Sequence, residues 1–172
     1  MPHPLVQQLR FARSEFVRGL DGVSEEDGRR RFLPINSLGW MVGHLASQER
    51  RYWLWRAQRS DLLAEIDAVA GYGRPASTPS LAAMWEAWRT VTAASDPWLD
   101  GLTTERLQTR LTVDGVEVGE MLGSMLRRVT YHYFFHTGEA QAVRQLLGHA
   151  PLPEFVGEID AFAPYAPDSA TA

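Results

Sequence analysis

The chain has 172 residues, of which 45% are hydrophobic and 22% charged, and its formal net charge is −4. These values are typical of one soluble globular domain, and the acidic balance disfavours a nucleic-acid-binding protein, which usually carries an excess of basic residues. There is no Cys, and all 17 basic residues are Arg, which excludes disulfides, cysteine-ligated metal sites, cysteine nucleophiles and lysine Schiff bases.

Neither a membrane segment nor a secretion signal is predicted. No apolar run approaches the length of a membrane-spanning helix. Residues 1–4 lack the basic and apolar regions of a signal peptide. We therefore expect a cytoplasmic protein that does not bind membranes.

Apolar residues at helical spacing predict two helices in the first third of the chain. The first ends at Asp21-Gly22, and residues 24–34 form a charged connector that can hold a short helical turn. The second begins at Asn36 or Ser37, both good N-caps, and runs to about Arg59. Residues 60–77 then form a long connection that contains several glycine and proline breakers.

The remaining elements are two helices with a hairpin between them. Thr78 and Pro79 are typical of a helix start, and Pro97 predicts an end or a kink. Asp114-Gly115 stands between alternating apolar residues of the segment 107–118, which predicts a small β-hairpin. The last helix runs from about Gly119 to Leu147 with an apolar stripe that begins at residue 121, and Gly148 is its C-cap.

These elements predict an all-α fold, a four-helix bundle with a small β-hairpin between helices 3 and 4. The bundle covers residues 1–150. Residues 151–172 form a C-terminal extension whose end is disordered. Four large side chains are expected to dock this extension on the bundle: Phe155, Ile159, Phe162 and Tyr165.

Three of the five histidines predict a metal site. His132 and His136 are four residues apart and share one helix face, which is otherwise apolar, and His44 lies on the inner side of the second helix. Three imidazoles with open positions suit a catalytic zinc, nickel, iron or manganese ion. The alternative is that they are core histidines with hydrogen-bond partners. His3 and His149 are expected at the surface.

Two familiar metal motifs are absent. The zincin motif requires Glu directly after its first His, and Tyr133 stands at that position. Ferritin-like di-iron sites require a Glu three residues before a His. Those positions hold Met41, Val129 and Tyr133 here.

The chain nevertheless resembles a known superfamily. Residues 37–49 (SLGWMVGHLASQE) and 118–141, which contain Tyr131-His132-Tyr133-Phe134-Phe135-His136, are similar to the second and fourth helices of the DinB/YfiT-like superfamily. Residues 152–160 (LPEFVGEID) are similar to the tails of its actinobacterial members. The resemblance extends over residues 5 to about 165.

The resemblance implies a four-helix bundle with one divalent metal on His44, His132 and His136. Relatives include mycothiol-dependent maleylpyruvate isomerase, bacillithiol-dependent transferases and the metal-binding part of ergothioneine sulfoxide synthases. It therefore implies an external low-molecular-weight thiol, such as mycothiol, as cofactor. Many members are dimers, and a homodimer is expected.

One departure from the superfamily pattern concerns Glu139. Many relatives continue after the last ligand with Arg-Gly-Gln, whereas this chain has Thr137-Gly138-Glu139. Glu139 shares the helix face of His132 and His136, so it is a candidate fourth ligand or a catalytic base. The alternative is a carboxylate that supports a ligand or pairs with an arginine such as Arg144.

The sequence thus predicts a divalent-metal-dependent transferase or hydrolase of small molecules. The metal activates either water or, as the resemblance favours, a thiol. Gln48 and Tyr52 follow His44 by one and two turns and are candidates to orient the substrate, ahead of Tyr131 and Tyr133. Arg127, Arg128 and Arg144 are candidates to bind an anionic substrate, or are solvated surface charges. The alternative function is a non-catalytic metal-binding or stress-response interaction protein; a DNA-associated factor is disfavoured by charge.

Overall fold

The computed structural model describes residues 1–165. It is mostly helical, with four long helices and four short ones in this range. The long helices are α1 (Pro4–Gly19), α3 (Leu38–Glu49), α5 (Leu81–Asp100) and α7 (Leu122–Leu146). The short ones are α2 (Glu25–Arg29), α4 (Ile66–Ala70), α6 (Thr104–Leu107) and α8 (Ile159–Phe162).

Ser37 is the N-cap of α3, which confirms one of the two caps that the sequence predicted. Its Oγ accepts a hydrogen bond from the Trp40 backbone N–H at 3.2 Å. After Glu49 the helix widens into a π-helical segment, Arg50–Arg56. The predicted continuous helix to about Arg59 is therefore interrupted by wider turns, which the apolar periodicity did not show.

The predicted start of the third long helix is wrong by two residues. Ser80, not Thr78, caps α5, and its Oγ accepts from the Ala83 backbone N–H at 3.3 Å. The Glu25 carboxylate of α2 accepts from the N–H groups of Leu81 and Ala82 at 3.2 and 3.0 Å. The Ser80 hydroxyl and the Glu25 carboxylate thus accept hydrogen bonds from backbone N–H groups of the first turn, which have no partner within the helix.

Pro97 does not end α5, which continues to Asp100. Pro97 and Ala93, four residues before it, are both exposed. Pro97 has no N–H to donate to the Ala93 carbonyl. The proline thus lies on the exposed side of α5, where a missing backbone hydrogen bond costs less than in the core.

A two-stranded antiparallel hairpin lies between α6 and α7. Strands β1 (Arg110–Val113) and β2 (Val116–Met121) pair with Leu111 opposite Val118. Asp114 and Gly115 have φ of 50° and 81°, as a two-residue type I′ turn requires. Because β2 continues to Met121, α7 starts at Leu122 rather than at Gly119. Met121, expected on the buried stripe, is 47% exposed.

The long helices share one apolar core. α1 packs on α7, and α3 packs on both α5 and α7. The contact of α3 with α7 brings together the two helices that carry the histidines. No helix among residues 1–165 is long and apolar enough to span a lipid bilayer.

The chain after α7 runs back along α1. The Gly157 N–H donates to Glu15 at 2.7 Å, and Arg18 donates to the Glu154 carbonyl oxygen at 2.7 Å. The Arg18 guanidinium also lies 4.7 Å from the centre of the Phe155 ring. Ile159, Phe162 and Tyr165 are exposed. The end that was expected to be disordered lies outside the described residues.

Candidate metal centre

Three histidine rings meet where α3 packs on α7. His44 comes from the middle of α3, and His132 and His136 come from successive turns of α7. One ring nitrogen of each lies within 4.8 Å of those of the other two. The Nε2 atoms of His132 and His136 are 3.0 Å apart.

The Nδ1 atom of each ring faces an oxygen acceptor. The partners are the Ala70 carbonyl oxygen for His44 at 2.9 Å, Gln48 Oε1 for His132 at 2.6 Å and Glu139 Oε2 for His136 at 2.8 Å. An imidazole that donates from Nδ1 leaves the lone pair of Nε2 free for a metal ion. This outer hydrogen bond is characteristic of metal-ligating histidines.

Burial favours the neutral form of two of the three rings, His44 and His132. It lowers the pKa of His44, which is 8% exposed. Burial also lowers the pKa of His132 to about 3, assisted by the nearby charges of His136, His44 and Arg128. Two Nε2 lone pairs at 3.0 Å repel each other. A cation between the rings, or a proton shared by the two nitrogens, removes that repulsion.

Contacts within α3 and with the elements packed on it hold His44 in place. Gly43 allows their close approach, because a Cβ at this position would lie 2.4 Å from Met84 Sδ and 3.0 Å from Ala70 Cβ. The Trp40 ring stacks on His44 with centroids 4.5 Å apart. The short helix α4 thus brings the Ala70 carbonyl to His44. Sequence reasoning missed this partner, because a backbone carbonyl has no residue signature.

A cleft of about 730 Å³ opens beside His44 and His132. Gln48 and Tyr52 line it, and the Arg56 guanidinium lies 5.0 Å from the centre of the Tyr52 ring. The remaining lining residues come from α3, the π-helical segment, the loop after α4, the end of β2 and α7: Ser47, Arg51, Tyr72, Glu120, Ser124, Arg127, Arg128, Tyr131 and Phe135. Sequence reasoning missed Arg51, although it stands seven residues after His44 on the same face.

Other predicted residues lie elsewhere. The Tyr133 hydroxyl is buried between Trp88 Nε1 and Glu49 Oε1, at 2.6 Å from each. Arg144 donates to the Gly19 carbonyl oxygen at 2.6 Å, so Glu139 pairs with His136 rather than with this arginine. Glu139 therefore contacts the Nδ1 side of the His136 ring, on the other side from the Nε2 atom that faces His132.

Comparison with known proteins identifies the family. The model of the Mycothiol-S-transferase family matches residues 4–148, a range that contains the three histidines and every residue that lines the cleft. No curated protein matches the chain. Mycothiol-S-transferase is a DinB/YfiT-like family, which confirms the superfamily that the sequence resembles. The chain therefore belongs to the Mycothiol-S-transferase family.

Proposed function

We propose that this protein is a metal-dependent transferase that joins the sulfur of a small thiol such as mycothiol to a small electrophilic substrate. The observation that carries the proposal is the convergence of three imidazoles, each with its Nδ1 against an oxygen acceptor, at one end of an open cleft. Membership of the Mycothiol-S-transferase family supports the thiol as reactant.

The three histidines fit a divalent metal ion. They offer three neutral nitrogen ligands, a set that suits zinc, nickel, iron or manganese and leaves coordination positions open. A metal ion held by His44, His132 and His136 would bind the thiol as its thiolate and so supply the nucleophile at neutral pH. Because the chain has no Cys, the sulfur must come from the external thiol.

The residues around the histidines orient the reactants. Gln48 fixes the ring of His132 through Nδ1, and Glu139 does the same for His136. Tyr52 lines the cleft and is available to contact substrate. In the transfer, sulfur forms a bond to an electrophilic carbon, the thiol proton passes to solvent, and the leaving group departs with the electron pair of the broken bond.

Other features of the proposal rest on the packing and the resemblance. The four long helices, with α3 against α5 and α7 and α1 against α7, support a four-helix bundle over residues 1–150. The contacts of Glu15 and Arg18 with residues 154–157 support a C-terminal extension that docks on it. The cytoplasmic location and the homodimer follow from the sequence-based expectation and the resemblance.

Elemental analysis of the untagged protein tests the metal site. We expect about one equivalent of a divalent metal per chain, lost in His44→Ala and kept in His149→Ala, which removes a histidine outside the site. Transfer of mycothiol to a benzylic chloride should be lost with the metal. Failure to bind zinc, nickel or manganese, or equal metal content in His44→Ala, would contradict the proposal. So would a transfer rate that His44→Ala leaves unchanged.

A further inference from the structure

The cleft beside the histidines is positively charged, although the chain is acidic as a whole. Three arginines and one glutamate line it. Glu120 forms an ion pair with Arg128, whereas Arg51 and Arg127 have no ion pair or side-chain hydrogen bond within residues 1–165. Two guanidinium groups therefore face the cleft without a compensating carboxylate.

Each unpaired arginine is separated from a histidine of the site by about one to two helical turns of the same stretch of chain. Arg51 follows His44 by seven residues, with Ser47 and Gln48 between them on the same side of the cleft. Arg127 precedes His132 by five residues on α7. At a rise of about 1.5 Å per residue, these guanidiniums are anchored roughly 7–10 Å along the helices from the histidines. A ligand can reach from one end to the other.

Aromatic side chains form part of the rim of the cleft. Tyr72, Tyr131 and Phe135 line the cleft and are 88%, 67% and 66% exposed. Large exposed rings grouped around one concavity mark a binding surface rather than a solvated one. Apolar walls with a few unpaired charges favour a ligand that has a flat apolar body and an anionic group.

We propose that Arg51 and Arg127 bind a carboxylate on the electrophilic co-substrate, and that the aromatic rim holds its apolar body. This inference rests on the proposed function, which assigns the histidine end of the cleft to the sulfur and leaves the arginine end to the other reactant. Guanidinium and carboxylate groups form strong charge-assisted hydrogen bonds, and two arginines can share one carboxylate. The enzyme therefore selects anionic electrophiles over neutral ones of the same shape.

A pair of matched electrophiles tests the selectivity. With saturating mycothiol, sulfur bonds to the benzylic carbon of 4-(chloromethyl)benzoate, chloride leaves with the electron pair, and the thiol proton passes to the buffer. 4-(Chloromethyl)benzamide reacts in the same way but is neutral. We expect kcat/KM to be at least about tenfold higher for the benzoate. Arg51→Gln and Arg127→Gln should each remove most of that preference through KM for the benzoate, with the benzamide unaffected.

Arg89→Gln is the matched control, because Arg89 is exposed on α5 and does not line the cleft. It should keep the wild-type preference. Three results would overturn the inference: no preference in the wild type, a preference retained in the double variant Arg51→Gln/Arg127→Gln, or variants that raise KM for mycothiol rather than for the benzoate. The last result would place the thiol at the arginines.

A binding measurement separates failure of this inference from failure of the proposed function. If neither electrophile is transferred, the proposed transferase activity is wrong, and titration calorimetry with unreactive 4-methylbenzoate and 4-methylbenzamide decides the anion site. Stronger binding of the benzoate, lost in the double variant, supports the site. Equal binding of the two ligands overturns it.

Discussion

At the scale of single residues, the three histidines differ in the group that accepts a hydrogen bond from their Nδ1 atom. His136 has a carboxylate, His132 an amide oxygen and His44 a backbone carbonyl. An ionised carboxylate accepts a stronger hydrogen bond than a neutral oxygen and makes the imidazole a better electron donor. His136 should therefore donate electron density to a bound metal more strongly than the other two ligands.

Glu139 and Gln48 are expected to act through the histidines that they contact. Removal of such a hydrogen-bond partner typically weakens metal binding about 10- to 100-fold. Gln48→Leu should do so, and Glu139→Gln, which keeps an acceptor oxygen, should cost less. Competition with a chromophoric chelator measures both affinities. Gln145→Leu, an exposed position on α7, should leave the affinity unchanged. A loss in Glu139→Gln as large as that in His136→Ala would make Glu139 a direct ligand.

At the scale of elements, the short helix α4 is the part of the site that depends most on tertiary contacts for its stability. Its five residues, Ile66–Ala70, cannot form a stable helix alone. Asp67 fixes it to α3 and to the π-helical segment by accepting from Ser47 Oγ and Arg50 Nη2, both at 2.6 Å. These two bonds position the Ala70 carbonyl that holds His44.

Asp67→Ala should therefore affect both stability and metal binding. Arg50 is 6% exposed, and its Nε and Nη1 have no partner among the described residues. Loss of Asp67 leaves the whole guanidinium buried and unpaired, which costs at least as much as a neutral buried group, about 1–3 kcal/mol. Urea unfolding measures the loss, and chelator competition should show weaker metal binding. The double variant Arg50→Met/Asp67→Ala should recover most of the stability.

The control for this prediction is Asp61→Ala, an exposed carboxylate in the same connection. It should change the unfolding free energy by less than about 0.5 kcal/mol. If Asp67→Ala is as mild as Asp61→Ala, α4 is held by other contacts and does not depend on the carboxylate.

The elements that sequence predicts well are those with a local chemical signal. Asp114-Gly115 predicted the hairpin turn because only a few residues accept positive φ at both positions. Ser37 predicted a helix start because its hydroxyl can cap the first turn. Helical spacing predicted that His132 and His136 share a face, which is where the structure has them.

The elements that sequence missed depend on distant partners. The start of α5 has a local cap, Ser80, but two of its N–H groups bond to the Glu25 carboxylate of α2, which is 56 residues away from Leu81. α4 lies in residues 60–77, predicted as a connection, and its place depends on the contacts of Asp67 with α3 and with the π-helical segment. The cleft is assembled from three separate stretches of the chain, residues 44–52, 72 and 120–135, so its unpaired arginines have no local pattern. Tertiary contacts, not propensity, decide these features.

At the scale of the whole molecule, one buried polar network joins all four long helices. Arg13 of α1 forms an ion pair with Glu49 of α3 and another with Asp96 of α5 at 2.7 Å. The Tyr133 hydroxyl of α7 donates to the same Glu49. Burial opposes the charge on Arg13, but the Glu49 carboxylate outweighs it and raises the pKa of Arg13. Burial and the same carboxylate raise the pKa of Tyr133.

Glu49→Gln should be among the most destabilising single changes in the chain. It leaves the Arg13 guanidinium, 4% exposed, without its main counter-charge. Breaking one partner of a buried ion pair typically costs about 3–5 kcal/mol. Replacing both partners with apolar side chains, as in Arg13→Met/Glu49→Leu, should cost much less, because no charge is then left buried. Urea unfolding followed by far-UV circular dichroism measures both free energies.

An exposed ion pair provides the comparison that decides what this network does. Arg110 and Glu117 are 3.9 Å apart at the surface of the hairpin, and Glu117→Gln should cost less than about 1 kcal/mol, as exposed pairs usually do. If Glu49→Gln costs no more than Glu117→Gln, the network does not hold the helices together. If the single variant is costly and the double variant is not, the free-energy cost comes from the unpaired buried charge. The packing of the four helices then requires that no buried charge is left without its partner, and it does not require the ion pair itself.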